Sequence, residues 1–109
     1  MRLVVGHTAE GALTAEALGR YFSGTVGASS HVGIDHDSTE DYVPYELAAW
    51  TLRSGNLVSD NAELCGFAEM ARAQWLSSED VTFYSNAVKR RVTVPNPRAM
   101  LEQFAVWIA

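Results

Sequence analysis

The order of strand-type and helix-type segments is the feature that most limits how this chain folds. A short apolar run at residues 3–5, closed by Gly6, predicts a buried strand. Residues 14–23 follow with a helical pattern, in which Thr14 suits the N-cap and Gly24 suits the end. A strand followed directly by a helix is typical of folds in which helices cover a β-sheet.

The rest of the chain continues this alternation. Asn96 and Pro97 predict the N-cap and the first residue of a final helix. Residues 79–94 are ambiguous, since VTFY and RVTV could each form a strand. The other predicted elements are a hairpin at 31–35 and 40–45 ending near Pro44, a helix at 46–53, a strand at 63–68 and a helix at 69–76. We therefore expect one α/β domain over residues 1–109, with a mixed β-sheet flanked by helices.

The charge balance disfavours nucleic acid as a partner. The chain has 13 acidic and 8 basic residues and a formal net charge of −5, whereas nucleic-acid binders gather Lys and Arg on one face. The one basic cluster, Lys89 to Arg91, is interpreted as a solvated face. The single cysteine, Cys65, excludes an internal disulfide and an all-cysteine zinc site.

Targeting signals are not apparent in the sequence. The N-terminal MRLVVG is too short in apolar residues for a signal peptide, and no stretch approaches the roughly 20 apolar residues that span a bilayer. We expect a soluble product made in the cytosol, without a membrane partner.

Histidine, glutamate and tryptophan residues are the candidates for chemistry. His7 follows the first strand, where clefts of α/β sheets usually lie, so it is either a metal ligand or a surface histidine in a turn. His31 is expected to be structural and His36 solvated, and no close-spaced ligand pair joins the three histidines. Glu63, predicted to begin a strand, either has a function or is solvated at a strand end. Trp75 and Trp107 are expected in the core, whereas Trp50 remains open between core and site.

Four segments in register resemble the zinc N-acetylmuramoyl-L-alanine amidase family, which includes phage endolysins and peptidoglycan recognition proteins. The first strand with HTAEG resembles the family's opening, and ASSHVGIDHDST resembles its hairpin. YVPYELAAW resembles its Val-Pro and Ala-Trp segment, and SDNAELCGFA resembles the strand that carries a glutamate. The resemblance covers residues 3–68. The segments Cys-Gly-Phe-Ala and Ala-Gln-Trp-Leu are most similar to endolysins of phages that infect actinobacteria.

The resemblance implies a fold, a reaction and a set of roles. The resemblance implies that His7 corresponds to the family's first zinc ligand and Glu63 to the general acid/base for a zinc-activated water. It implies that Trp50 corresponds to an aromatic residue near the substrate groove. The bond cleaved would join N-acetylmuramic acid to L-alanine of the peptidoglycan stem peptide. An endolysin collects in the host cytoplasm and acts on the cell wall after release.

The sequence also departs from the family. Thr51-Leu52-Arg53 stands where His-Ala-Gly is usual, and the second and third metal ligands lie, in the family, beyond a helix like 97–109. We therefore expect residues 1–109 to be the N-terminal part of a longer catalytic domain. The alternatives are a non-catalytic peptidoglycan-binding module of the same fold and an unrelated structural α/β domain. Stem-peptide specificity and oligomeric state stay open.

Overall fold

A computed structural model describes residues 3–11, 13–22, 30–42 and 59–109, and every structural statement below concerns these residues. Its centre is a mixed four-stranded sheet in the order β1-β4-β2-β3. Strand β4 runs parallel to β1 and to β2, whereas β2 and β3 form an antiparallel hairpin. The strands are β1 (Leu3–Thr8), β2 (Val32–Ile34), β3 (Thr39–Asp41) and β4 (Ser59–Leu64).

Helices α1 (Ala15–Phe22) and α3 (Pro97–Ile108) cover opposite faces of this sheet. A Cβ added to Gly33 would lie 1.8 Å from the Tyr42 hydroxyl, and one added to Gly19 of α1 would lie 2.8 Å from the same ring. Tyr42 therefore fills the space between α1 and the sheet. A Cβ on Gly6 would lie 2.8 Å from the Phe104 ring of α3. The mixed sheet flanked by helices that the sequence predicts is thus confirmed.

A second, separate sheet is formed by a hairpin of β5 (Val81–Ser85) and β6 (Arg90–Val94). Its inward residues join the core, and Phe67 meets Phe83 edge to face with ring centroids 5.5 Å apart. The ambiguity over residues 79–94 is thereby resolved in favour of two strands. Trp75 and Trp107 pack, partly buried, against the same core. The core comprises Leu18, Val32, Ile34, Ala62, Leu64, Cys65, Phe67, Met70, Val92, Val94 and Met100.

Two predicted helix caps are confirmed. The Thr14 hydroxyl accepts a hydrogen bond from the Ala17 amide at 3.1 Å. The Asn96 side chain accepts one from the Ala99 amide at 3.2 Å, with Pro97 as the first residue of α3. Each bond satisfies a backbone N–H that the first helical turn leaves without a partner.

The prediction of a strand at 63–68 is wrong in its bounds. Strand β4 begins at Ser59, before the predicted start, and ends at Leu64. The polar residues at its start, Ser59 to Asn61, join the strand because Leu3 to Val5 of β1 pair with them. Beyond Leu64 the chain turns, since the Gly66 amide bonds back to the Leu64 carbonyl at 2.8 Å.

The helix predicted at 69–76 shortens to α2 (Arg72–Trp75). Glu69 lies outside this helix, because its carboxylate accepts hydrogen bonds from the turn of the β5–β6 hairpin. Met70 is buried, but Ala73 and Leu76, which a helix over 69–76 would place on the same face, are exposed. The helix predicted at 46–53, with Trp50 and Pro44, lies outside the described residues. None of the described helices has the length and apolar character needed to cross a membrane.

Candidate functional site

The structure brings His7 and Glu63 together. The two residues are register partners on the adjacent parallel strands β1 and β4, each one residue before its strand ends. Side chains of paired residues in a parallel sheet point to the same face. Glu63 therefore lies at the carboxyl end of a central strand. The prediction that it begins a strand is wrong. This edge of an open sheet is where ligands bind in α/β folds.

The His7 imidazole has an unsatisfied nitrogen. Its Nε2 atom is buried and has no hydrogen-bond partner among the described residues. Buried side-chain polar atoms nearly always have a partner, so an exception needs an explanation. A neutral imidazole binds Zn²⁺ and other transition metals through a ring nitrogen that is not otherwise engaged. This observation favours a ligand over a surface histidine in a turn.

The Glu63 carboxyl is shifted towards neutrality. Burial raises its pKa from an ordinary 4.5 to about 7, and the negative charge of the Glu10 carboxylate adds to the rise. At neutral pH the acid and the carboxylate forms are therefore both populated. A group in this state can accept a proton in one step and return it in the next. The shift comes from desolvation first and from a like charge second, as expected of a carboxyl in a partly closed site.

Glu10 fastens together the two loops that leave β1 and β4. Its Oε1 atom accepts hydrogen bonds from the Ala68 amide at 2.9 Å and from the Thr8 hydroxyl. Backbone bonds reinforce this contact, from the Ala9 amide to the Leu64 carbonyl and from the Glu10 amide to the Gly66 carbonyl. Glu10 adopts a φ of 55°, which turns the chain sharply after Thr8. The distance between His7 and Glu63 is thus fixed by both the sheet and this loop pair.

Sequence reasoning missed Glu10. The available signal was an acidic residue three positions after His7 in the same loop. Its left-handed backbone and its contact with Ala68, 58 residues later, are tertiary features.

His31 is structural, as predicted. It is fully buried, and its Nδ1 accepts a hydrogen bond from the Asn61 amide at 3.0 Å. Its own backbone amide bonds to the Asn61 carbonyl at 3.1 Å, and its carbonyl accepts from the Tyr42 amide. These bonds fix the start of β2 beside β4.

Asp35, His36 and Asp37 form a group whose ligand atoms lie within 4.8 Å of one another, so the group could hold a metal ion. His36 is half-buried, and its Nε2 lies 3.8 Å from an Asp37 carboxylate oxygen. The Asp35 oxygens are already engaged, however, because they accept from the amides of Ala15, Asp37 and Ser38 and from the Ser38 hydroxyl. Against the cost of burial, these bonds hold the pKa of Asp35 below its ordinary value. Asp35 acts first as a cap that ties the hairpin to α1.

The remaining candidates do not enlarge the site. The Cys65 thiol is buried, and burial first, then nearby carboxylates, raises its pKa to about 12, so it is not a thiolate nucleophile at neutral pH. Trp50 lies outside the described residues. Within those residues, His7 is not part of any cluster of three potential metal ligands.

No protein-family model, curated protein or solved structure shows a significant match to this chain.

Proposed function

We propose that this chain belongs to a peptidoglycan hydrolase of the zinc N-acetylmuramoyl-L-alanine amidase type, most similar to a phage endolysin. The observation that carries the proposal is the register pairing of His7 with Glu63 at the carboxyl edge of parallel strands. Two residues 56 positions apart, each singled out by the resemblance, lie side by side. The substrate would be the amide between N-acetylmuramic acid and L-alanine of the stem peptide, and the site of action the bacterial cell wall.

Glu63 supplies the proton transfers in this proposal. With its pKa near 7, its carboxylate takes a proton from the attacking water, and its acid form then donates that proton to the leaving amine. An amine that leaves without a proton is a poor leaving group, so the second transfer matters as much as the first. Burial, and after it the charge of Glu10, raises the pKa of Glu63 and so keeps its acid form populated, and Glu10 also holds the loop after β4 in place.

His7 is the residue that would hold zinc, through the Nε2 atom, which has no hydrogen-bond partner among the described residues. Zinc, when bound, polarises the scissile carbonyl and makes water more acidic. Catalytic zinc takes about three protein ligands, and the described residues supply one at this edge. Among the described residues, His7 is therefore the one zinc ligand identified at this edge. The group of Asp35, His36 and Asp37, which could hold a metal ion, does not include His7.

The test measures zinc and hydrolysis separately on the whole chain. Zinc content is determined after dialysis, and release of free stem peptides from purified peptidoglycan is followed by mass spectrometry. We expect His7→Ala to lower zinc binding and Glu63→Gln to abolish peptide release while leaving zinc binding in place. Hydrolysis that persists in Glu63→Gln would refute the assigned role of Glu63.

A second candidate function is a non-catalytic peptidoglycan-binding module of the same fold. The observation that favours it is the single ligand found near Glu63 within the described residues. This alternative predicts sedimentation with peptidoglycan, no released peptide and no loss of binding in Glu63→Gln. The neutral-range pKa of Glu63 favours the enzyme, because a binding module gains nothing from a buried carboxyl.

A further inference from the structure

The turn of the β5–β6 hairpin carries an unneutralised cationic patch. Lys89, Arg90 and Arg91 are all exposed in a chain of net charge −5. In the part of the chain that the structure describes, none of them has a carboxylate oxygen within 4.0 Å, whereas Arg98 pairs with Glu102. The Glu69 carboxylate, which feels the charge of Lys89, is occupied by the amides of the turn.

The outward face of the hairpin continues this patch through Arg91, whereas Arg90 is paired with the buried Ser85 and belongs to the opposite face. Arg91 lies directly across from Tyr84, whose side chain is 53% exposed. The next outward pair is Thr82 and Thr93, whose hydroxyls are 2.9 Å apart. A guanidinium binds carboxylates through two parallel hydrogen bonds, an aromatic ring covers the apolar face of a sugar, and hydroxyls bind sugar hydroxyls. The face therefore suits a carboxylated glycan.

The hairpin is attached to the candidate site through two consecutive residues. The Ala68 amide donates to Glu10, in the loop beside His7 and Glu63. The Glu69 carboxylate accepts from the Ser85 hydroxyl at 2.9 Å and from the Asn86 amide at 2.8 Å. Neighbouring Cα atoms are about 3.8 Å apart. The contact of Ala68 with the site loop and the contact of Glu69 with the hairpin turn are therefore separated by a single residue. Phe67 packing on Phe83 makes the attachment rigid.

We propose that the outward face of the β5–β6 hairpin docks peptidoglycan by binding the free carboxylates of its stem peptides. This inference rests on the proposed function and extends it, since it gives the acidic chain a place to hold an anionic wall. Charge complementarity favours a carboxylated polymer, because three adjacent cations are too few for the extended basic face of nucleic-acid binders. Nucleic acid and phosphate-rich wall polymers are therefore outcomes of the test.

The experiment measures binding to peptidoglycan in the Glu63→Gln background, so that the wall is not degraded. Cosedimentation with wall freed of secondary polymers is compared for the parent, for Lys89→Gln/Arg91→Gln, and for Arg72→Gln/Arg98→Gln. The last pair removes the same charge from exposed positions on α2 and α3. We expect the hairpin pair to weaken binding by about tenfold and the control pair to leave it unchanged. Wall whose carboxyl groups have been amidated should bind the parent as weakly as untreated wall binds the hairpin variant.

Three results would overturn the inference. They are equal binding by the hairpin variant and the parent, equal binding to amidated and untreated wall, and binding that requires phosphate polymers or is matched by duplex DNA. Circular dichroism of each variant confirms that the exposed changes leave the fold intact. Hairpin-dependent binding by a wild-type chain that releases no stem peptide would favour the non-catalytic binding module over the amidase and leave the docking face standing, so the two failures are distinguishable.

Discussion

Replacing Glu63 by glutamine should stabilise the fold, and only above about pH 5. In the folded chain burial raises the pKa of Glu63 from 4.5 to about 7, with Glu10 adding to the rise. Folding therefore favours the protonated form of Glu63. The stability that this form contributes to the fold is fully present below pH 4.5 and is lost as the pH rises through 7. Glutamine has a similar shape and no charge, so it does not lose this contribution.

The size of the effect follows from the pKa. A rise from 4.5 to about 7 corresponds to about 3 kcal/mol at complete desolvation. The side chain is only half-buried, and solvent screening reduces the figure to about 2 kcal/mol. We expect the free energy of unfolding of Glu63→Gln to exceed that of the wild type by this amount at pH 8, and to equal it at pH 4.

Urea unfolding of the metal-free chain, followed by tryptophan fluorescence between pH 4 and pH 9, measures this difference. Glu79→Gln, an exposed carboxyl outside the site, is the matched control and should show no comparable gain with pH. A constant difference between wild type and Glu63→Gln across the range would refute the reasoning, because it would mean that Glu63 does not titrate between 4.5 and 7.

Three further predictions follow from individual contacts. Glu10→Ala should expose the Ala68 amide to hydrogen exchange about tenfold faster, whereas Glu10→Gln, which keeps the acceptor, should preserve protection by NMR and lower the pKa of Glu63. Asp35→Ala should destabilise the chain by about 2–4 kcal/mol in urea at neutral pH; because the pKa of Asp35 is lowered, this cost should shrink as the pH falls below 4. Gly33→Ala should cost about 3 kcal/mol by the same assay, since its Cβ would lie 1.8 Å from the Tyr42 hydroxyl, and a shorter side chain at Tyr42 should recover part of the loss.

The fold was predictable wherever local chemistry decides the outcome. Asn96 before Pro97 marks the start of α3, and Thr14 marks the start of α1, because caps act within one helical turn. The error at β4 has the opposite origin. Residues 59–61 are polar and lie outside the predicted strand, yet they belong to β4 because Leu3 to Val5 of β1 pair with them. Helix α2 shortens for a similar reason, since Glu69 is committed to a hairpin turn 17 residues away.

The candidate site was predictable in its members and not in its geometry. The sequence singles out His7 and Glu63, but no rule of spacing sets them side by side. Their neighbourhood depends on a parallel register between strands separated by α1 and the β2–β3 hairpin. Glu10 was missed because its role depends on a left-handed turn and on a partner in the loop after β4. Asp35 is the reverse case, a carboxylate whose hydrogen bonds give it a structural task.

The opposite fates of Glu63 and Asp35 show how this sheet edge separates function from structure. Both are carboxylates at the carboxyl ends of adjacent parallel strands. Asp35 receives several hydrogen bonds from the turn and from α1, so its charge is stabilised and its pKa falls. For Glu63 the dominant influence is desolvation, with a second carboxylate nearby, so its pKa rises. A folded chain gains stability from the first arrangement and loses stability from the second above pH 5. A carboxyl that destabilises its own fold at neutral pH, in register with a histidine whose Nε2 has no hydrogen-bond partner among the described residues, has the properties of a site built to act on a ligand.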